Sequence, residues 1–194
     1  MAEAPEVVML GDSLTQGYGL PDGEGLVPQL QTWLEVEGVD AKLINMGVSG
    51  DTTAGGLSRV EWSITPQTKA VVVALGGNDL LRGLSPDDAR ANLDKIVDII
   101  RGRDLPVLLL GLPAPANYGA DWAVQYNAIF PDLAAKYDIL MDPNQLAPIA
   151  VFTPDERAAQ GLMQDDGIHP SAKGVAMEVE HIGPLVKQLI EQIP

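Results

Sequence analysis

The stretch VVMLGDSLTQGYG, Val7–Gly19, joins a short apolar run to the polar sequence Gly-Asp-Ser. Apolar runs of this length bounded by turn-forming residues are typical of buried parallel strands. Ligands of open parallel sheets bind outside the carboxyl ends of the strands. The stretch therefore predicts a strand at Val7–Leu10 with Ser13 facing a ligand at its tip. The alternative is that Asp12 or Ser13 only caps the following helix, which is the commoner role of these residue types.

The rest of the chain continues this alternation of strands and helices. Further apolar runs predict strands at Ala41–Met46, Lys69–Leu75, Val107–Leu112 and Ile139–Met141. Amphipathic patterns predict helices at Val27–Glu37, Thr53–Ser63, Pro86–Arg101, Trp122–Tyr137 and Ser171–Ile193. Alternating strands and helices imply right-handed crossovers. We therefore expect an α/β protein, a three-layer α/β/α sandwich around a mostly parallel sheet.

Composition narrows the classes of function. The chain has 194 residues, 46% of them hydrophobic, and no low-complexity linker, so we expect one domain spanning residues 1–194. The sequence does not define the oligomeric state, and a monomer is the default expectation. Its 12 basic and 27 acidic side chains give a net charge of −15, which repels nucleic acid and anionic membrane surfaces. No apolar run approaches the ~18 residues of a transmembrane segment. Nucleic acid and membrane spans are therefore not expected.

Residue types that hold cofactors are scarce. There is no cysteine, and the two histidines, His169 and His181, lie well apart in the sequence, which argues against a metal site. Gly17 and Gly19 lack a third glycine at the spacing of a dinucleotide-binding loop, and no Gly-Lys-Ser/Thr phosphate loop is present. We expect no cofactor and no metal.

Two further loops after predicted strands carry groups that could bind an anion. Gly50 lies in a glycine-containing loop, where a backbone N–H group can approach a ligand closely. Asn78 follows Gly76-Gly77 and offers a carboxamide donor. The alternative for both segments is an ordinary turn, because glycine and asparagine tolerate positive φ. The carboxylates of Asp12, Asp51 and Asp79 are expected to organise these loops.

A candidate general base lies just before the last predicted helix. Asp166 precedes His169 by three residues with a glycine between them, a spacing that lets the carboxylate fold back onto Nδ1–H of the imidazole. This bond would leave Nε2 free to take a proton from an alcohol. His181, in the middle of the predicted helix, is expected to be solvated. Together with Ser13, these residues supply the parts needed for acyl transfer to water.

In combination these motifs resemble the GDSL or SGNH hydrolase family. Gly11-Asp12-Ser13-Leu14, Gly50, Gly76-Gly77-Asn78-Asp79 and Asp166-Gly167-Ile168-His169 match its four blocks in order. The segments SGDTT, GGNDLLRG, LPAPANYG and MQDDGIHP are similar to the branch that contains bacterial thioesterase I, also known as a lysophospholipase, and related arylesterases. The match extends from Gly11 to His169, which is most of the chain.

The resemblance implies a fold, a reaction and a set of roles. It implies a flavodoxin-like sandwich with a five-stranded parallel sheet, and a serine esterase that needs only an acyl ester and water. Ser13 would be the nucleophile, His169 the base and Asp166 its orienting acid. The oxyanion hole would consist of the backbone N–H groups of Ser13 and Gly50 and the side-chain amide of Asn78.

The substrate and the compartment are less tightly constrained. Short- to medium-chain or aryl esters are the first choice, with thioesters and lysophospholipids as further candidates. Six residues near the predicted site are candidate pocket walls, although apolar residues at such places commonly belong to the core: Leu14, Leu80, Leu112, Pro113, Tyr118 and Ile168.

A periplasmic or secreted location is expected from the resemblance, and a cytoplasmic one if Met1 is native.

Three alternatives stay open. A carbohydrate O-deacetylase would share the four blocks, with Tyr118 and Trp122 as candidates for stacking on sugar rings. An α/β-hydrolase fits poorly, because Thr15 stands where the Gly-x-Ser-x-Gly elbow requires glycine. A flavodoxin-like binding domain without catalysis would share only the fold.

Overall fold

The computed structural model describes residues 4–194 and contains a five-stranded sheet in which every pairing is parallel. The strand order is β2-β1-β3-β4-β5. The strands are β1 (Glu6–Gly11), β2 (Lys42–Gly47), β3 (Thr68–Ala74), β4 (Val107–Leu110) and β5 (Leu140–Asp142). The expected α/β sandwich with a five-stranded parallel sheet is confirmed.

The helices cover both faces of this sheet. They are α1 (Ser13–Gln16), α2 (Leu26–Val36), α3 (Thr53–Ser63), α4 (Gly77–Leu81), α5 (Pro86–Arg101), α6 (Ala120–Asn127), α7 (Ile129–Tyr137), α8 (Ala147–Ala150), α9 (Pro154–Ala159) and α10 (Ala172–Ile190), with a 3₁₀ turn at Ala116–Tyr118. Among residues 4–194, no helix combines the length and the hydropathy needed to cross a bilayer.

Alternate residues of the central strands feed two separate cores. In β1, Val8 and Leu10 pack with the helices of one face, while Val7 and Met9 pack with α2 and α10 on the other. All four side chains are almost fully buried. Burial on both faces explains why the strand sequence is continuously apolar instead of alternating.

The register of the central strands aligns the ends that carry the functional loops. Gly11 of β1 pairs with Gly47 of β2 and with Ala74 of β3. The loops that leave these three residues therefore start at the same height on one edge of the sheet. This alignment gathers the segments of Ser13, Gly50 and Asn78, which are distant in the sequence.

The structure also corrects the bounds of three predicted elements by more than one residue. The last helix, expected to reach Ile193, ends at Ile190. The helix expected at Trp122–Tyr137 is two helices that meet at Ala128. Pro131 explains the break, because it lacks the N–H that would bond to the carbonyl of Asn127 and its ring would clash there. The strand expected to reach Leu112 ends at Leu110, where β5, the strand it pairs with, also ends at Asp142.

Candidate active site

Ser13 is the first residue of α1, directly after β1. Asp12 caps this helix: its Oδ1 accepts the backbone N–H of Leu14 at 3.0 Å. The capping role that was the commoner alternative thus belongs to Asp12, and it leaves the Ser13 hydroxyl free for another partner. The Ser13 side chain lies in a cleft and is 9% exposed.

The partner of Ser13 is His169, from the loop before α10. The Ser13 Oγ lies 2.8 Å from Nε2 of His169. On the opposite side of the ring, Nδ1 lies 2.6 Å from Oδ2 of Asp166. Three side chains that the sequence places at its two ends therefore form a continuous hydroxyl–imidazole–carboxylate chain. In this arrangement the carboxylate selects the imidazole tautomer with the proton on Nδ1, so that Nε2 can accept one.

The Asp166 carboxylate is held in its ionised form. The hydrogen bond with the His169 ring is the largest effect that lowers the Asp166 pKa, to about 2, and backbone N–H groups of His169 and Ile168 add to it. Those two N–H groups donate to Oδ1 at 3.0 Å and 2.9 Å, respectively. The carboxylate therefore stays charged and oriented at any pH near neutrality. The Tyr18 ring packs against the imidazole with the centroids 4.8 Å apart.

Asn78 and Gly50 lie in segments that follow strands ending at the same edge of the sheet. Asn78 lies in α4 and lines the cleft together with Ser13, and its Nδ2 donates to Oδ2 of Asp12 at 3.3 Å. Gly50 has a φ of +82°, in the left-handed region that favours glycine. The Gly50 segment meets the nucleophile loop through its neighbours, because the N–H of Val48 donates to the carbonyl of Gly11 at 3.0 Å. Gly50 itself is not one of the residues that line the cleft. The role of both residues as oxyanion donors stays a prediction.

The buried carboxyl group of Asp12 has an unusually high pKa. Burial is the main effect on its pKa and raises it to about 6, against the opposing hydrogen bonds from Leu14 and Asn78. Asp79 plays a more conventional part, because its two oxygens accept the N–H and the hydroxyl of Thr53 at 2.8 Å and 2.7 Å. Both carboxyl groups organise loops, as expected.

Arg59, which the sequence analysis did not single out, ties the strand ends together. Its guanidinium donates to the carbonyl of Gly11 at 2.8 Å, to that of Met46 at 2.7 Å and to Oδ2 of Asp51 at 2.6 Å. The residue is 7% exposed. The sequence contained an indication of this role, because Arg59 lies next to Val60 on the buried face of α3, where an arginine needs polar partners. It holds the ends of β1 and β2 from which the Ser13 and Gly50 loops depart.

The prediction for His181 was wrong. Its Nε2 lies 2.9 Å from Oδ2 of Asp142, at the end of β5, and the imidazole is only partly exposed. Packing of α10 against the sheet brings this side chain to the strand end, a contact that a helical pattern alone does not reveal. The pair contributes no residue to the triad.

A cleft of about 500 Å³ opens beside Ser13 and His169. Five of the six predicted wall residues line it: Leu14, Leu80, Leu112, Pro113 and Ile168. Tyr118 does not; its hydroxyl donates to the carbonyl of Leu81 at 3.1 Å instead. A larger depression of about 690 Å³ includes Pro5 and Thr68, at the opposite edge of the sheet, and contains no triad residue. The cleft beside Ser13 is therefore the candidate active site.

Comparison with known proteins agrees with this geometry. The model of the GDSL-like lipase/acylhydrolase family matches residues 9–177. The chain belongs to this family. It is 35% identical to esterase TesA of Pseudomonas aeruginosa over 190 residues, covering 97% of this chain and 91% of that protein. It is 33% identical to thioesterase 1/protease 1/lysophospholipase L1 of Escherichia coli K12, covering 88% of this chain and 77% of that protein.

Among solved structures, the SGNH-hydrolase family esterase AlinE4 is 42% identical, with a TM-score of 0.78 and 97% of each chain covered. The family resemblance drawn from the four sequence blocks is therefore confirmed. A serine–histidine–aspartate chain on this fold, in a member of this family, identifies a carboxylic ester hydrolase.

Proposed function

We propose that this protein hydrolyses carboxylic acyl esters through an acyl-serine intermediate formed on Ser13. The observation that carries the proposal is the chain of contacts from Ser13 Oγ to His169 Nε2 and from His169 Nδ1 to Asp166, at 2.8 Å and 2.6 Å. His169 takes the hydroxyl proton as Ser13 Oγ attacks the ester carbonyl, and it then protonates the leaving alkoxide. Water repeats the sequence on the acyl-serine and releases the acid.

The tetrahedral oxygen needs donors that are already in place. We assign the backbone N–H groups of Ser13 and Gly50 and Nδ2 of Asn78 to this role. Support comes from their common edge of the sheet and from the bond between Asn78 Nδ2 and Asp12, which orients the amide. Preorganised donors stabilise the oxyanion because they need no reorganisation when charge develops.

The shape of the cleft favours an apolar acyl or aryl group as the substrate. Leucine, isoleucine and proline side chains form much of its lining, and its volume is in the range that holds a small ligand. Short- to medium-chain or aryl esters are therefore our first choice. Thioesters and lysophospholipids are further candidates, and the names of the relatives point to both ester and thioester chemistry.

A carbohydrate O-deacetylase is the weaker candidate. The aromatic residues expected to stack on sugar rings, Tyr118 and Trp122, pack against each other with their centroids 4.9 Å apart, and neither lines the cleft. Within residues 4–194, no tyrosine or tryptophan is part of the cleft wall. A panel of p-nitrophenyl esters from acetate to palmitate, with an acyl-CoA and acetylated sugars, decides between the two classes.

The mechanism is tested by replacing the nucleophile and by labelling it. Ser13→Ala should abolish hydrolysis of p-nitrophenyl butyrate and prevent covalent labelling by a fluorophosphonate, detected by mass spectrometry. Ser58→Ala, at an exposed position of α3, is the matched control and should retain both. Labelling of the Ser13→Ala variant at another serine, with activity retained, would reject Ser13 as the nucleophile.

The periplasmic or secreted location also stays a proposal. It is supported by the resemblance to the thioesterase I branch. Fractionation of the native source cells, followed by mass spectrometry of the mature amino terminus, would test it.

A further inference from the structure

Arg82 joins two parts of the candidate oxyanion hole that are distant in the sequence. Its guanidinium Nη2 donates to the carbonyl of Gly50 at 2.9 Å. Arg82 caps the C-terminal end of α4, and its backbone N–H donates to the carbonyl of Asn78 at 3.1 Å. One residue is thus bonded to both segments that carry proposed oxyanion donors.

The Gly50 segment needs such a contact more than its neighbours do. Ser49 is held by Gln16, whose Oε1 accepts the Ser49 N–H at 3.1 Å, and Asp51 is held by Arg59. Between them, the carbonyl of Gly50 accepts a hydrogen bond from Arg82 alone among the contacts of residues 4–194. The carbonyl and the N–H of Gly50 belong to successive peptide planes, joined by dihedral angles that glycine restricts least. The conformation of this segment therefore depends on external bonds such as the one from Arg82.

The Arg82 side chain lies outside the buried core, so its contact with Gly50 is not expected to stabilise the fold strongly. Its side chain is exposed, in contrast to the buried Arg59 that bridges the strand ends. A solvent-exposed bond between a guanidinium and a single carbonyl contributes little to folding, yet it spans the two donor segments directly. The bond is therefore significant because it links the Gly50 and Asn78 segments, and not because of its contribution to the free energy of folding.

We infer that Arg82 is a positioning residue for the oxyanion hole, holding Gly50 at a fixed separation from the helix that carries Asn78. This inference rests on the proposed function, in which the N–H of Gly50 and the amide of Asn78 bind the tetrahedral oxygen. Among the contacts described for residues 4–194, Arg82 neither lines the cleft nor bonds to a triad side chain. Its removal should slow the chemical step and leave ground-state binding in the apolar cleft intact.

The test compares Arg82→Met and Arg82→Lys with the wild type on p-nitrophenyl butyrate. We expect Arg82→Met to lower kcat about 10-fold, less than the ~100-fold loss that follows outright removal of an oxyanion donor. KM and the pH profile of kcat/KM should not change, because the cleft and the triad are intact. Arg82→Lys should recover part of the activity, and guanidinium at a non-denaturing concentration should partly rescue Arg82→Met.

A trifluoromethyl ketone supplies a second readout, because its adduct places an oxyanion in the same hole. Its inhibition constant should rise in Arg82→Met by the factor by which kcat/KM falls. Arg90→Met is the matched control, since Arg90 is a partly exposed arginine of α5 paired with Asp132 and does not line the cleft. It should change none of these quantities.

The outcomes separate this inference from the proposed function. Unchanged kcat and inhibitor affinity in Arg82→Met would overturn the inference, while loss of activity in Ser13→Ala and Asn78→Ala would still support the mechanism. A loss of activity with no rescue by lysine or guanidinium and with a raised KM would also overturn it, because that pattern indicates general disruption. Retained activity in Ser13→Ala would instead reject the proposed function itself.

Discussion

Glu178 allows a quantitative test of how burial changes the pKa of a carboxyl group and the stability of the fold, because its side chain is fully enclosed in the protein. It lies in α10, is 1% exposed and lines a small cavity with Ser13 and His169. Its Oε1 has no hydrogen-bond partner among the described residues. Burial raises the pKa of Glu178 from 4.5 to about 8, and the nearby Asp12 carboxylate acts in the same direction.

The sign of the stability effect follows from this raised pKa. Below pH 4.5 the group carries its proton in both the folded and the unfolded chain, so it imposes no ionisation penalty. Between pH 4.5 and about 8 the unfolded chain loses this proton while the folded chain retains it, and the free energy of unfolding falls as pH rises. The slope reaches about 1.4 kcal/mol per pH unit in the middle of this interval and flattens near both pKa values, so the loss between pH 5 and pH 8 is roughly 3 kcal/mol.

The perturbation is Glu178→Gln, which keeps the shape of the side chain and removes its ionisation. We expect the stability of the variant relative to wild type to improve by roughly 3 kcal/mol from pH 5 to pH 8. For a chain of this size that is roughly 6–12 °C in relative melting temperature. Urea unfolding followed by circular dichroism at several pH values measures the difference directly. Glu180→Gln, an exposed position of the same helix, is the control.

The informative quantity is the change with pH in the stability difference between Glu178→Gln and wild type. A difference that is constant with pH would report only the altered packing of the side chain. If the stability difference between Glu178→Gln and wild type is the same at pH 5 and pH 8, Glu178 ionises normally in the folded protein. The argument from its burial would then be refuted.

Three other replacements test the site. Asn78→Ala should lower kcat by about 100- to 1000-fold in a p-nitrophenyl ester assay, and a loss below threefold would remove Asn78 from the oxyanion hole. Asp166→Asn should lower kcat by about 10⁴-fold because the amide favours the wrong imidazole tautomer, while circular dichroism should show an intact fold. Arg59→Met leaves the Asp51 carboxylate without its partner and should cost about 3–5 kcal/mol in urea unfolding, and a stability within 1 kcal/mol of wild type would contradict the bridging role.

The arrangement of strands and helices was predictable because it depends on local patterns. The helix Pro86–Arg101 was predicted with its observed bounds, since Ser85, the proline at the first helical position and the early acidic residues mark its start. The break at Ala128 was missed because the apolar pattern continues across it, although Pro131 was visible in the sequence. Periodicity reports which face is buried, but it does not report whether the backbone hydrogen bonds are continuous.

The sequence by itself determined the chemical inventory: one serine after the first strand, one histidine with an aspartate three residues before it, and no cysteine. It also determined the parallel sheet, because continuous apolar runs must be buried on both faces. Only the tertiary structure decided which groups meet. The 2.8 Å contact between Ser13 and His169, the link from Arg82 to Gly50 and the enclosure of Glu178 all join residues far apart in the chain. Such contacts depend on strand register and helix packing, which short-range sequence patterns do not encode.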